Sequence, residues 1–356
     1  MKILIIKTHA IGDVLMTTPV IRAIRKKYPE SHISFLVGEW SKETVEGNPY
    51  LDRIITFKDK DLLIFNLFNI SQNYRVYDLI RKLRAEQFDI IFMLHRSKFI
   101  HLLGWLIGAN KRVGISESNY LPLLTNKATL PKNSYHYAAM DYMNVIFTNS
   151  KFNNEDFSLD FFIPEKIYKR TNSQLSTTRR ASLNYEASLS QLIGVCPGGS
   201  VNPAEKVVAR RWSIERYAEL CNELIKLNLQ PVIFGSKDDV PVVNELMNKT
   251  NSNCINMCGE TTLKQRGALI KKCRAIVTND SAPIHIAVAV GTPSVSLFGP
   301  TFGKARVPPD SRHIAIQSKL ECSPCYNNRR FPGCKNPRCM EYISVEEVKN
   351  AVLKLL

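Results

Sequence analysis

The sequence predicts an α/β protein built from two domains, each a doubly wound parallel sheet covered by helices. Three observations lead to this prediction. The chain has 356 residues, more than one hydrophobic core usually organises. In both halves, short apolar strand-like runs alternate with longer segments whose apolar residues recur at helical spacing. Between the halves, residues 165–191 are polar, basic and rich in Ser and Thr, as interdomain segments often are.

The first half opens with a βαβ unit. It comprises a buried strand over 2–7, an amphipathic helix over 17–28 and a second strand over 32–37. The same alternation then continues to the end of this half. Further strands are predicted at 52–57, 89–94 and 112–115, and further helices at 76–86, 99–107 and 135–147.

The second half repeats this plan. Strands are predicted at 192–196, 230–234, 253–256, 274–278 and 294–298, and helices at 214–227, 240–249, 263–271 and 282–290. The predicted organisation is an N-terminal domain over 1–170, a basic linker over 171–190, a C-terminal domain over 191–342 with a Cys-rich loop at 322–339, and a final helix over 343–356. Because ligands bind outside the carboxyl ends of parallel strands, we expect the domains to face a central cleft.

Composition and charge restrict the class of partner. The apolar fraction is 44%, and no run of about 18 apolar residues could span a bilayer. The apolar start of the chain is too short for a signal peptide, so we expect a cytoplasmic protein. The net charge of +16 indicates a polyanionic partner, either nucleic acid, an anionic membrane surface or a phosphorylated glycolipid. The basic groups lack regular aromatic interleaving, so no nucleic acid is expected.

The most informative motif is the segment 279–285, which reads Asn-Asp-Ser-Ala-Pro-Ile-His and follows a predicted buried strand. Asp280 or Ser281 can cap the helix that begins here, and Pro283 fits its first turn. The small residues Ser281 and Ala282 would let a diphosphate approach the free backbone N–H groups. An ordinary capped helix start explains the same residues equally well.

Other predicted strand ends in the C-terminal half suit the same ligand. Glycines allow close backbone approach, and Arg210 can offset negative charge on a leaving phosphate. Each position also has a structural explanation as a turn, a cap or, for His285, a packed side chain. Their concentration favours a nucleotide-diphosphate pocket. Its predicted residues are Gly198, Ser200, Arg210, Lys237, Asp280, Ser281, Ala282, His285, Gly299 and Thr301.

The loop after the first strand, 8–15, places the carboxylate of Asp13 at the ligand-binding end of the sheet. The loop contains Gly12 but lacks G-x-G-x-x-G, which disfavours a dinucleotide-dependent dehydrogenase. A carboxylate at this position can take a proton from a hydroxyl nucleophile. Helix capping is the alternative role for Asp13.

These motifs together resemble the ADP-heptose:lipopolysaccharide heptosyltransferases of glycosyltransferase family nine, whose two Rossmann-like domains form the GT-B fold. The resemblance spans nearly the whole chain. It is carried by residues 2–15, 35–38, 47–50, 279–285, 291–293 and 297–301.

The resemblance implies an inverting transfer of heptose from ADP-L-glycero-D-manno-heptose to a lipopolysaccharide inner-core sugar, with no cofactor required for catalysis. It implies that Asp13 is the general base, that residues 280–282 hold the diphosphate, and that His9 and Gly12 lie on the acceptor-side loop. It further implies a phosphorylated glycolipid acceptor and peripheral contact with the anionic inner face of the cytoplasmic membrane.

Three positions depart from the family pattern. Arg210 stands where a lysine is usual, Ala282 replaces a glycine, and His9 replaces a glycine or serine. These departures affect the details of donor and acceptor rather than the reaction class. Two other functions stay open: glycosyl transfer to protein or another glycan, and a non-catalytic protein that binds nucleotides or nucleic acid.

Four cysteines near the C-terminus, Cys322, Cys325, Cys334 and Cys339, have the number and first spacing of a Cys₄ metal site. The surrounding prolines and glycine suit a knuckle-like loop, although the middle gap is shorter than in common zinc ribbons. Some protein-modifying members of the resembled family hold iron in this region. We therefore predict a structural zinc or iron, with free thiols or disulfides as alternatives.

Overall fold

A computed structural model describes residues 1–63, 70–115, 123–128, 137–146, 157–178, 191–199, 201–202, 205–250, 253–326, 334 and 337–356. The chain forms two compact units, Met1–Phe162 and Ile163–Leu356. Within the described ranges, no helix combines the length and the apolar character needed to cross a membrane.

The first unit contains a six-stranded sheet in the order β3-β2-β1-β4-β5-β6, in which every adjacent pair is parallel. Its strands are β1 (Lys2–Ile6), β2 (His32–Gly38), β3 (Arg53–Phe57), β4 (Ile90–Met93), β5 (Lys111–Ile115) and β6 (Asn126–Ala128). Its helices are α1 (Ile11–Leu15), α2 (Thr18–Lys27), α3 (Asp59–Leu63), α4 (Ile70–Ala85), α5 (Lys98–Ile107) and α6 (Ala138–Met143). The strand order reverses beside β1, so the loop after β1 lies at a switch point.

The central strand β1 fixes the position of that loop. Residues 3–6 have no exposed surface, as expected for a parallel strand covered on both faces. Ile5 pairs in register with Phe35 of β2 and with Phe92 of β4. The chain therefore leaves β1 from a rigid, fully packed support.

The second unit has the same architecture, with a six-stranded parallel sheet in the order β11-β10-β7-β12-β13-β14 and a separate two-stranded hairpin. The strands are β7 (Leu192–Cys196), β8 (Val201–Asn202) and β9 (Glu205–Lys206) of the hairpin, β10 (Gln230–Ile233), β11 (Ile255–Asn256), β12 (Ala275–Asn279), β13 (Ser294–Phe298) and β14 (His313–Gln317). The helices are α7 (Glu165–Thr178), α8 (Ile214–Lys226), α9 (Val240–Lys249), α10 (Leu263–Ile270), α11 (Ala282–Val290) and α12 (Val345–Leu355). Here the order reverses between β7 and β12.

The predicted strands and helices are present, with shifted ends. The largest shift is at α4, which begins at Ile70 rather than at residue 76. The short strands β6, β8 and β9, the short helices α1 and α3, and the half-buried edge strand β14 of mixed polarity were not predicted.

The division between the units falls earlier than the predicted boundary at residue 170. Part of the predicted linker is helical, since α7 occupies residues 165–178 and packs against α10 within the second unit. The rest of the predicted linker, residues 179–190, lies outside the described residues.

Candidate active site

In the second unit, β12 turns directly into α11. The strand ends at the fully buried Asn279, and α11 begins at Ala282. The hydroxyl of Ser281 donates to the carbonyl oxygen of Asn279 (3.3 Å), so it is directed back at the strand instead of at the helix amides. The first N–H groups of a helix have no intrahelical acceptor. Because Ser281 and Ala282 are only half-buried, this helix start is able to receive an anion.

The side chain of Asn279 ties the neighbouring loops to this junction. Its Oδ1 accepts hydrogen bonds from the Trp212 backbone N–H (2.9 Å) and the Tyr217 hydroxyl (3.0 Å). Its Nδ2 donates to the carbonyl oxygens of Pro197 (2.9 Å) and Gly198 (3.2 Å). Burial holds the pKa of Tyr217 well above its ordinary value, so the phenol remains a donor. The amide therefore joins the loop after β7, the segment before α8 and the end of β12.

The loop after β7 lies against the start of α11. Gly199 has a φ of +81°, and a Cβ there would lie 2.8 Å from the Ser281 side chain, so only glycine fits. Its N–H donates to Asp239 Oδ1 (2.9 Å), and its carbonyl accepts from Arg211 (3.0 and 2.8 Å). Burial alone would raise the pKa of Asp239, but hydrogen bonds from Gly199 and Ser236, with the charge of Arg211, lower it overall. The ionised carboxylate of Asp239 therefore holds the loop after β7 in place through its hydrogen bond from Gly199.

Arg210 supplies positive charge beside the helix start. Its Nε lies 3.5 Å from Asp280 Oδ2, and its guanidinium carbon lies 5.0 Å from the centre of the Tyr326 ring. The Arg210 and Asp280 side chains are only 11% and 7% exposed. The N–H of Tyr326 donates to the carbonyl oxygen of Pro300 (2.7 Å), which brings the loop after β13 to the same place. A cation held between a carboxylate and a ring is well placed to bind a phosphate.

In the first unit, the loop after β1 brings together Lys7, Asp13 and Tyr142. Lys7 Nζ lies 3.7 Å from Asp13 Oδ2 and donates to the Tyr142 hydroxyl (2.8 Å). The lysine side chain is 5% exposed and that of Asp13 is 35% exposed, so a buried cation accompanies a carboxylate that reaches solvent. Ala10 occupies the N-cap position of α1, so Asp13 is not the N-cap residue and lies in the first turn of the helix. The carboxylate is available to accept a proton.

Two neutral histidines flank this loop. Thr8 Oγ1 lies 2.8 Å from His9 Nδ1 and 3.0 Å from His95 Nε2. The Thr8 backbone N–H donates to His95 Nε2 (2.9 Å), which places the ring proton of His95 on Nδ1. Burial, assisted by the charge of Lys7, lowers the pKa of His9 to about 4. At neutral pH the His9 ring is therefore uncharged.

Comparison with known proteins decides the family. A family model described as glycosyltransferase family 9 (heptosyltransferase) matches residues 76–334. The chain belongs to this family. Lipopolysaccharide heptosyltransferase 2 of Salmonella typhimurium is 30% identical over 313 residues, which cover 85% of this chain and 83% of that protein. Lipooligosaccharide heptosyltransferase 2 of Haemophilus ducreyi is 29% identical, with 89% of this chain and 88% of that protein covered.

Solved structures of related enzymes agree with this assignment. The ADP-heptose lipopolysaccharide heptosyltransferase II of E. coli superposes with a TM-score of 0.75 at 25% identity, covering 100% of this chain and 98% of that one. A family 9 glycosyltransferase from Veillonella parvula superposes with a TM-score of 0.81 at 24% identity, covering 99% and 96%. The predicted GT-B fold is therefore confirmed for this family 9 glycosyltransferase.

The structure of the enzyme brings half of the predicted donor residues together at the start of α11. They are Gly198, Arg210, Asp280, Ser281 and Ala282. The carboxylate of Asp280 lies against Arg210, so its charge positions the cation and would repel a phosphate. Arg210, the two helix-start amides and the glycine loop are the groups suited to bind the anion.

The other predicted donor residues have different surroundings. His285 is buried, and Lys237 is exposed in the turn after β10. The carbonyl of Gly299 accepts from the Ser323 hydroxyl (2.6 Å), so this glycine fixes a loop. Thr301 is buried, and its Oγ1 has no hydrogen-bond partner among the described residues. Ser200 lies outside the described residues. Of the two residues predicted to lie on the acceptor side, His9 is half-buried and Gly12 is buried.

Sequence reasoning missed several residues that build the site. The roles of Lys7, Arg211, Asp239 and Tyr326 became visible only in the structure. Asp239 had a local signal, because it follows Ser236 by three residues and forms a capping box with it. Tyr326 is far from Arg210 in the sequence, so no local pattern predicts their contact.

The structure gives no support for the predicted metal site at the four C-terminal cysteines. All four thiols are free, with Cys322 and Cys334 exposed, Cys325 half-buried and Cys339 buried. A Cβ on Gly299 would lie 2.6 Å from the Cys339 sulfur, so that thiol packs into the sheet end. Within the described residues, which include these four, no group of three or more His, Cys, Asp or Glu side chains could hold a metal. The structural zinc or iron therefore stays a prediction.

Proposed function

We propose that the enzyme transfers heptose from ADP-L-glycero-D-manno-heptose to a sugar of the lipopolysaccharide inner core, with inversion at the anomeric carbon. The lipopolysaccharide and lipooligosaccharide heptosyltransferases that align with most of the chain support this substrate class. The observation that carries the proposal is the anion-receiving start of α11 beside the buried Arg210. ADP is the leaving group of the proposed reaction, and a diphosphate is the ligand that such a junction suits.

The second unit stabilises the leaving group. As the bond between the anomeric carbon and the diphosphate oxygen breaks, the electron pair and negative charge pass to ADP. The amides of Ser281 and Ala282 and the guanidinium of Arg210 offset that charge. The carboxylate of Asp280 lies 3.5 Å from Arg210 Nε and holds the guanidinium in place. Since these groups supply the compensating charge, we expect the rate to be unchanged by EDTA.

The first unit supplies the base. Asp13 takes the proton of the acceptor hydroxyl while that oxygen forms a bond to the anomeric carbon. The buried ammonium of Lys7 holds the carboxylate in place from 3.7 Å. One bond forms, one bond breaks and one proton moves, which yields the glycoside, ADP and protonated Asp13.

The acceptor in this proposal is a phosphorylated glycolipid at the inner face of the cytoplasmic membrane. The net charge of +16 supports a negatively charged partner of this kind. Transfer to a protein or to another glycan would use the same donor and the same base, so only the acceptor distinguishes those reactions.

The test is ADP release from a panel of nucleotide sugars. ADP-heptose, other ADP-sugars and UDP-sugars are each offered with inner-core glycolipid, with a protein acceptor or alone, to the wild type and to Asp13→Asn. We expect release only from ADP-heptose with the glycolipid, and its loss in the variant. Undiminished release in Asp13→Asn would remove the assigned base, and release that needs the protein acceptor would replace the assigned substrate.

A further inference from the structure

Two neighbouring helices of the first unit, α4 and α5, form one continuous outer surface. Their inner sides share a single hydrophobic core, to which Val76 and Leu83 of α4 and Leu103 of α5 contribute. The Arg84 guanidinium of α4 reaches the carbonyl oxygen of Leu106 in α5 (3.5 Å). The helices are therefore packed side by side, and their outward residues lie on one surface.

Large apolar side chains are concentrated on this surface. Tyr74 and Tyr77 of α4 are 69% and 63% exposed, and Leu102 and Trp105 of α5 are 39% and 45% exposed. The described residues of the first unit include six exposed large hydrophobic side chains, and four of the six lie on these two helices. We call Tyr74, Tyr77, Arg81, Leu102 and Trp105 the α4–α5 face.

The same two helices are strongly basic. They carry five Lys and Arg residues against a single acidic residue, Asp78. Arg81 stands one turn after Tyr77 on the exposed side of α4, and its side chain is 65% exposed. Exposed Tyr and Trp rings surrounded by cations are the composition of a surface that lies in the headgroup region of an anionic bilayer. A second copy related by two-fold symmetry would oppose like charges, which disfavours a dimer through this face.

We propose that the enzyme adsorbs to membranes through the α4–α5 face, with its rings at headgroup depth and its cations on anionic phospholipid. This inference deepens the proposed function, because a glycolipid acceptor is presented at a bilayer. Adsorption itself requires neither donor nor acceptor, so it is measured separately from sugar transfer.

The test is cosedimentation of the full-length protein with vesicles that contain no glycolipid. Vesicles of phosphatidylcholine alone are compared with vesicles that also contain phosphatidylglycerol, at about 0.05 M and about 0.5 M NaCl. We expect binding only to the anionic vesicles at low salt. Tyr77→Ala with Trp105→Ala should weaken it roughly tenfold, and Arg81→Glu should weaken it at least roughly fivefold.

The matched controls lie in the second unit. Lys226→Glu makes the same change of charge at an exposed side chain that, like Arg81, pairs with an acidic residue three positions away. Tyr342→Ala removes an exposed ring elsewhere. Both controls should bind vesicles like the wild type. Since every substituted side chain is exposed, unchanged melting temperatures will show that the variants are folded.

Three results would overturn the proposal. One is vesicle binding that is equal in the face variants and in the controls. Another is equal binding to neutral and anionic vesicles. The third is a dimer, or a complex with duplex DNA, that depends on the α4–α5 face when no vesicle binding is found. Failure of sugar transfer with normal vesicle binding would count against the proposed function alone. Normal sugar transfer without vesicle binding would count against the α4–α5 face alone.

Discussion

The loop after β1 and the junction between β12 and α11 both border the switch point of a six-stranded parallel sheet, the first after the third strand of its sheet and the second after the fourth, yet they carry different side chains. The first presents a carboxylate to solvent beside one buried lysine. The second presents helix amides beside a buried arginine. The topology provides a switch point in each unit, while the few residues that follow the strand decide the role that we propose for it, proton transfer in the first unit and phosphate binding in the second.

The two regions also differ in how deeply their carboxylate and amide side chains are buried. In the first unit, the Asp13 side chain is 35% exposed, and its ion pair with Lys7 spans 3.7 Å. In the second, Asn279 and Asp239 each make several hydrogen bonds of about ordinary length to the surrounding loops. Substitution of the half-exposed Asp13 should therefore lower stability less than substitution of the buried Asn279 or Asp239.

The largest effect should come from Asp13→Asn. The amide keeps the shape of the side chain but cannot take the acceptor proton, so kcat should fall by roughly 10²–10⁴-fold. ADP affinity should be retained, because the protein groups proposed to bind the diphosphate are in the second unit. Steady-state kinetics with calorimetric ADP titration checks both. Glu30→Gln, which neutralises an exposed carboxylate of the same unit, should behave like the wild type.

Arg210→Met should weaken ADP binding by roughly 100-fold through the loss of a charge-assisted contact. It should also lower the free energy of unfolding by about 3 kcal/mol, since the buried carboxylate of Asp280 loses the cation beside it. The double variant Arg210→Met with Asp280→Asn separates the two effects. We expect it to recover stability and not affinity. Recovery of ADP binding in the double variant would show that Arg210 has only a structural role.

Gly199→Ala should weaken ADP binding roughly tenfold, because the new Cβ would displace Ser281 from the helix start. Gly291→Ala is a matched control. Gly291 has a similar φ of +79°, but a Cβ there meets nothing within 4 Å. Both variants carry backbone strain, and only Gly199→Ala should lose affinity. Equal affinities in an ADP titration would show that the contact between Gly199 and Ser281 does not shape the site.

The smallest effect concerns pH. The pKa of His9 is lowered from 6.5 to about 4, chiefly by burial, so the unfolded chain binds more protons than the folded one between these values. Stability contributed by neutral His9 is full above pH 6.5 and falls as the pH drops through this window. Between pH 7 and pH 5.5 the loss should be about 1 kcal/mol.

Urea unfolding of the wild type and of His9→Asn at the two pH values measures this loss. In His9→Asn, the decrease in the free energy of unfolding from pH 7 to pH 5.5 should be about 1 kcal/mol smaller than in the wild type. His32→Asn, which replaces an exposed histidine and leaves His9 in place, should retain it. An identical pH dependence in wild type and His9→Asn would show that His9 is not held neutral by the fold.

The sequence was sufficient for the parts of the molecule that depend on local pattern. Strands such as β7 and helices such as α9 and α11 have the predicted bounds, because apolar periodicity and caps are local signals. The contacts of Arg210 with Asp280 and Tyr326 depend on packing between distant segments, and no spacing rule reports them. The cysteine spacing likewise records separation along the chain, so whether the four thiols bind a metal stays a prediction.

The proposed assignment of the base to the first unit and of ADP binding to the second is tested most directly by titrating ADP into wild type and Asp13→Asn in a calorimeter. The same samples are first assayed for heptose transfer. We expect the two dissociation constants to agree within about twofold while transfer by the variant falls by roughly 10² or more. A dissociation constant raised about tenfold or more in Asp13→Asn, or transfer that persists at the wild-type rate, would contradict it.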